Sequence, residues 1–93
     1  MSFAVYFNPA STQPMSTEQY DEVMKRLDAA GLGSPKGRSH HSTFGPPDGL
    51  MVYDIWESME DFEAFGATLM PILAELQIDP GEPMVMPVHN IVQ

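Results

Sequence analysis

The chain contains no cysteine, which excludes disulfides and thiolate zinc sites. No run of about 18 apolar residues occurs, and the N-terminus lacks a basic flank followed by an apolar stretch. Neither a membrane span nor a signal peptide is therefore expected, and a cytoplasmic location is the default reading. Positive charge is scarce. The four cations, Lys25, Arg26, Lys36 and Arg38, stand against 13 acids for a net charge of −9, and residues 39–93 hold nine acids and no Lys or Arg. Such a surface repels phosphate backbones and anionic membranes, so neither nucleic acid nor membrane is expected as a partner. Its ordinary role is to keep a small protein dispersed. The dinucleotide fingerprint, the P-loop and the Gly-x-Ser-x-Gly elbow are also missing, which disfavours nucleotide cofactors and serine-nucleophile hydrolysis. No cofactor and no resident metal are expected. Any catalysis must rest on acid–base groups in a water-poor pocket.

What is present is a clear order of elements, read as one domain over residues 1–93. Ser2 to Asn8 alternates as a strand with bulk on both faces. Ser16 with Gln19 forms a capping box, Met15 and Tyr20 fit a hydrophobic staple across it, and Tyr20, Val23, Met24, Leu27 and Ala30 give one apolar helical face. Gly31 suits the helix end, and Gly33, Pro35 and Gly37 forbid continuation. Arg38 to Phe44 reads as a second strand and Leu50 to Glu57 as a third, joined by a Pro-Pro-Asp-Gly turn. The third strand runs straight into a helix capped by Ser58, with Asp61 at capping-box spacing. Phe62, Phe65, Leu69, Ile72 and Leu73 give that helix a buried face to about Gln77, and Pro71 inside it predicts a kink or a restart near Leu69–Met70. Pro83 to Gln93 alternates as a final strand whose prolines suit a sheet edge.

A β-α-β-β-α-β order of this length most simply makes an α+β, ferredoxin-like fold: a four-stranded antiparallel sheet, strand order 4-1-3-2, with both helices on one face. The other face should then be polar, and it is not. Strands one, three and four carry apolar residues on both sides. Such a sheet must cover its second face, and a two-fold-related copy of the chain is the economical cover. The element order, the two-sided sheet and the segment Asp54-Ile55-Trp56-Glu57-Ser58 followed by Phe62 and Phe65 resemble the dimeric α/β-barrel superfamily, and within it the antibiotic-biosynthesis-monooxygenase-like branch. That resemblance spans essentially the whole chain. It implies a homodimer and a pocket between sheet and helices; activities in the superfamily include cofactor-independent oxygenation of aromatic polyketides, haem degradation and polyketide cyclisation. Haem-degrading members carry a Trp on the second helix and a His about three turns further on. Here Phe65 stands at the Trp position and no His follows in 66–78, which argues against haem degradation. Many monooxygenase-like members place a His where Phe65 stands, so that histidine is missing too.

Three histidines, His40, His41 and His89, are the acid–base candidates. In the expected sheet, strands two and four lie roughly 14 Å apart at opposite edges, too far to share a site within one subunit. In a closed dimeric barrel, strand four of one subunit adjoins strand two of the other, and His89 could approach His40 or His41 there. One of the adjacent pair must point to each face. Asp54, mid-strand on the face of Val52 and Trp56, needs a partner, which Arg38 or a strand-two histidine can supply. His41, His89 and Asp54 are thus the candidate catalytic residues, Asp54 as orienter. Tyr6, Tyr53, Trp56, His40 and Phe65 are candidate pocket walls, with Tyr53 facing opposite to Asp54 and Trp56. A metal site would need His40 or His41 near His89 plus a carboxylate. Two functions fit: a homodimer that binds a small apolar or aromatic molecule and oxidises or isomerises it without a cofactor, or a non-enzymatic dimeric carrier, sensor or accessory module. In the second, the Tyr and Trp rings would pack solid.

Overall fold

The capping signals set the helices where the sequence places them. The computed structural model describes residues 2–9 and 13–92. Its elements, in chain order, are β1 (Phe3–Phe7), α1 (Thr17–Ala29), β2 (Arg38–Phe44), β3 (Met51–Trp56), α2 (Met59–Glu75) and β4 (Met84–Pro87). Ser16 caps α1 with a complete capping box: its Oγ accepts from the Gln19 N–H at 3.2 Å, and Gln19 Oε1 accepts from the Ser16 N–H at 2.8 Å. Past Ala30 the chain turns through Gly31, whose φ of 79° is the left-handed value that glycine adopts without penalty. The cap of α2 is half a box. Ser58 Oγ accepts from the Asp61 N–H at 3.1 Å, but the Asp61 carboxylate does not return to the Ser58 backbone. Aspartate is one methylene shorter than the glutamate of a full box, and the Ser58 hydroxyl donates to its Oδ2 at 3.0 Å instead.

Two expectations are corrected. Of the kink or restart expected near Leu69–Met70, the restart does not occur; α2 runs unbroken from Met59 to Glu75 with Pro71 inside it. Pro71 removes the N–H that would reach the Ala67 carbonyl. Both residues lie on the exposed face, where water can take that carbonyl. The final strand is also shorter than its alternation predicts. It spans Met84–Pro87, and residues 88–92 are not strand. Among the described residues it pairs with the five-residue β1 alone, and Pro87 already pairs with Phe3 at the end of that strand. One further bond, Val88 N–H to the Ser2 carbonyl at 2.9 Å, ends the ladder. Gln93, and Ala10 to Thr12 of the first loop, lie outside the described residues.

The four strands form one antiparallel sheet in the order β2-β3-β1-β4, as expected. Both helices supply residues to the core on the face that carries Val5, Val52 and Trp56. Val23 and Leu27 come from α1, Phe65 and Leu73 from α2. Trp56 is fully buried, its ring 5.7 Å from Phe62 and 5.2 Å from Phe65. Its indole N–H has no hydrogen-bond partner among the described residues, a deficit of about 1–3 kcal/mol that the ring's burial must offset. The entry to β2 is tied down at Gly37. Its carbonyl accepts from the Glu57 N–H at 2.7 Å, its φ is 85°, and any Cβ there would overlap the Asp61 side chain. Among the described residues, neither helix covers the opposite sheet face. Phe44, Met84 and Met86 are 43%, 55% and 52% exposed.

Candidate functional site

Asp54 is the only buried charged residue among those described, and the ladder explains how it is met. In the β2–β3 register His41 lies directly across from Asp54, and side chains directly opposite share a face. Asp54 therefore points toward the helices and His41 follows it, leaving His40 on the far side. His41 Nδ1 is 2.6 Å from Asp54 Oδ1, with the histidine one-fifth exposed and the carboxylate 5% exposed. On the other side of the ring, Nε2 is 2.6 Å from the Tyr20 hydroxyl of α1. The two rings lie 6.0 Å apart and nearly parallel.

The hydrogen-bond inventory fixes the polarity of this chain of groups. An ionised carboxylate only accepts, so His41 Nδ1–H donates to Asp54. In the neutral ring Nε2 is then the acceptor, and the Tyr20 O–H donates to it. A proton arriving at Tyr20 can be matched by transfer of the tyrosine's own proton to Nε2. The resulting imidazolium stays beside the Asp54 carboxylate, which holds the ring and balances its charge. Asp54, His41 and Tyr20 thus form a chain of hydrogen-bonding groups along which a proton could pass, with a phenol oxygen at one end.

Tyr20, His41 and Asp54 all line a cavity between the helices and the sheet. The space measures about 60 Å³ and is walled mainly by apolar groups, among them Phe7, Val23, Met24, Leu27, Phe65 and Leu69. Its polar members are Tyr20, Arg38, His41 and Asp54. The volume holds on the order of four or five waters. A ligand with an aromatic ring therefore requires the flexible thioethers of Met15 and Met24, which also line the space, to give way.

Arg38 reaches this side of the sheet through a register shift. Arg38 pairs with Trp56 and His40 with Ile55, so Ser39 is an extra residue in the ladder. In a regular strand, residues at odd separation face opposite ways. The shift puts Arg38 and His41 on the same face, with the Arg38 guanidinium 5.6 Å from the centre of the Phe65 ring.

The candidates read from the sequence thus separate. His41, Asp54 and Phe65 come together at the cavity. Tyr6, Tyr53 and His40 gather on the opposite face. Tyr6 pairs across the ladder with Tyr53, donates to Met51 Sδ at 3.1 Å and stacks on Phe44; His40 sits 5.6 Å from the Tyr53 ring. Trp56 is buried under Phe62 and Phe65 and does not line the cavity. His89 is exposed beyond β4, at the sheet edge farthest from β2, and does not meet His41 within the protomer. Tyr20 was read from the sequence as half of a hydrophobic staple and part of an apolar helical face. The signal that distinguishes it is its hydroxyl, since a tyrosine on a buried stripe needs a polar partner. Among the described residues, no group of three or more His, Asp or Glu is placed to hold a metal ion.

No protein-family model matches the chain. No curated protein sequence matches it either. Solved structures do match, over nearly the whole chain. SnoaB, a cofactor-independent oxygenase from Streptomyces nogalater, is 14% identical with a TM-score of 0.62, covering 98% of this chain and 94% of its own. A protein from Chloroflexus aurantiacus J-10-fl, provisionally named an antibiotic biosynthesis monooxygenase, is 16% identical with a TM-score of 0.62, covering 99% and 98%. Rv0793 from Mycobacterium tuberculosis is 8% identical with a TM-score of 0.64, covering 99% and 97%. At such identities the likeness establishes the shared ferredoxin-like fold of antibiotic-biosynthesis-monooxygenase-like proteins, and function must be argued from the site.

Proposed function

We propose that this protein takes a small aromatic or polyketide-like molecule into the cavity and removes a proton from it through Tyr20, His41 and Asp54. The observation that carries this proton-relay reading is two 2.6 Å contacts in series among three side chains that line an apolar cavity. Proton removal is the step common to isomerisation and to oxygenation without a cofactor. In the second case the substrate anion supplies the electrons to O₂. A CH₂ group becomes C=O, with one oxygen atom on carbon and the other leaving as water with the two hydrogens. SnoaB's description as a cofactor-independent oxygenase favours that outcome for a chain of this fold.

The same reading includes a homodimer. Phe44, Met84 and Met86, together with the Tyr6–Tyr53 ladder, leave the helix-free sheet face apolar and exposed. A second copy presents the identical face under two-fold symmetry. Native mass spectrometry tests this directly: a dimer is expected, and a monomer overturns it.

The catalytic reading is tested by deuterium wash-in. Enolisable aryl ketones and aromatic hydroquinones are incubated with the protein in D₂O, and exchange at carbon is followed by NMR beside O₂ uptake. Exchange above background is expected for the wild type and is lost in His41→Gln and Asp54→Asn, with their amide spectra still dispersed. Equal exchange in all three refutes the relay. The cavity's small volume supports a second reading, a non-enzymatic carrier or sensor module. It is favoured if ligands shift the cavity resonances and no compound exchanges.

A further inference from the structure

The relay is not the only polar feature of the cavity. Arg38 is the single cation on its lining. Its situation differs from that of the other cations with described partners. Arg26 contacts two carboxylates, Glu22 at 3.1 Å and Glu75 at 3.0 Å, and Lys36 lies 4.0 Å from Asp61. Arg38 Nη2 donates to the Gly33 carbonyl at 3.1 Å, and the guanidinium lies by the Phe65 ring. No carboxylate of the described residues comes within ion-pair distance of it. The nearby acid of the lining, Asp54, is already engaged by His41. A guanidinium is a rigid planar fork of donors matched to a pair of oxygens, and here one nitrogen donates to a peptide carbonyl.

Resting on the reading of this cavity as a ligand site, we propose that its ligand joins an apolar ring to an anionic oxygen group, a carboxylate or an enolate-type oxyanion. Arg38 receives that group while the ring lies against Phe65. The surroundings make the assignment specific. The chain carries a net charge of −9, so its general field repels anions and their recognition has to be local. The Phe65 face holds the guanidinium plane by a cation–π contact, which limits the orientations in which its donors are offered. A charge-assisted, bidentate contact to carboxylate is among the stronger polar contacts available to a protein. The placement also serves the relay. A group deprotonated beside Tyr20 becomes an anion in a cavity that Arg38 also lines.

The test is an amide-resonance titration of the full chain with benzoate and with benzamide, a neutral compound of nearly the same shape. Shifts are read at Val23, Leu27 and Leu73. Benzoate is expected to bind at least about tenfold more tightly than benzamide. Arg38→Gln is expected to erase that advantage while benzamide affinity stays as it was. Arg38→Lys, which keeps the charge and loses the fork, is expected to retain part of it. Equal binding of the two compounds by the wild type, or an undiminished preference in Arg38→Gln, overturns the inference while leaving the cavity reading in place. If neither compound shifts the cavity resonances, the cavity reading fails and this inference falls with it.

Discussion

The pair formed by His41 and Asp54 allows a quantitative test that needs no substrate. Replacing Asp54 by Ala removes a carboxylate that is 5% exposed and takes away the acceptor of a 2.6 Å contact. A hydrogen bond to a charged group contributes about 1.5–3 kcal/mol, and a buried donor left unpaired costs about 1–3 kcal/mol more. Asp54→Ala alone is therefore expected to cost about 3–5 kcal/mol, the usual range for breaking one side of a buried pair. That is a large part of the total stability, roughly 5–14 kcal/mol for a chain of this length. The double-mutant cycle with His41→Ala isolates the pair. Once the histidine is gone, the second substitution should cost less by about 1.5–3 kcal/mol, the coupling of two groups in direct contact. Urea unfolding followed by circular dichroism measures it. With a slope of about 1–2 kcal/mol/M, the single Asp54→Ala change moves the midpoint by about 1.5 M or more. All four proteins must be compared at one protomer concentration, because association would add to the apparent stability. A coupling below about 0.5 kcal/mol would mean that the two side chains do not act together, and the relay would lose its inner half.

Gly37→Ala combines a left-handed backbone with a Cβ that overlaps Asp61. It is expected to cost at least about 1–2 kcal/mol by urea unfolding, and an unchanged midpoint would contradict the described entry to β2. Arg26 is held above its already high ordinary pKa, first by the Glu22 hydrogen bond and then by that to Glu75. A raised pKa contributes stability that persists until pH rises through it, so Arg26 stays charged over the whole working range. Because the group is exposed, Arg26→Gln is expected to leave the urea midpoint unchanged at physiological salt. A clear loss there would show that the link from α1 to Glu75 is structural.

The fold was legible because its signals are local. A capping box, a strand period of two and a helical stripe each occupy fewer than a dozen residues, and together they leave one simple topology. The two departures, at Pro71 and in β4, arise from context. Solvent on one side of α2 can take a freed carbonyl, and a five-residue partner strand limits how far β4 can pair. Half of the site was legible in the same way. Asp54 has Val5 of β1 on one side of the ladder, so its polar neighbour comes from β2 on the other, and the alternation of faces required one of His40 and His41 to turn inward. Tyr20 was hidden because a tyrosine on an apolar stripe looks like any other core aromatic until its hydroxyl finds Nε2. Trp56 was misplaced as a pocket wall because facing the helices does not mean facing the space between them. Phe62 and Phe65 close over it.

Ser39 carries a consequence for chain length at the site. His41 lies three positions after Arg38, and only the extra residue in the ladder lets both face the helices. Without Ser39, a regular strand would bring the two to a spacing of two and to that same face. Two chain lengths therefore encode one arrangement of charge and base. Reinserting a regular pairing at Ser39 would instead turn the arginine outward onto the bare side of the sheet. A shortened sequence that lacks this serine keeps the cation at the cavity, whereas a full-length one that merely straightens the strand loses it.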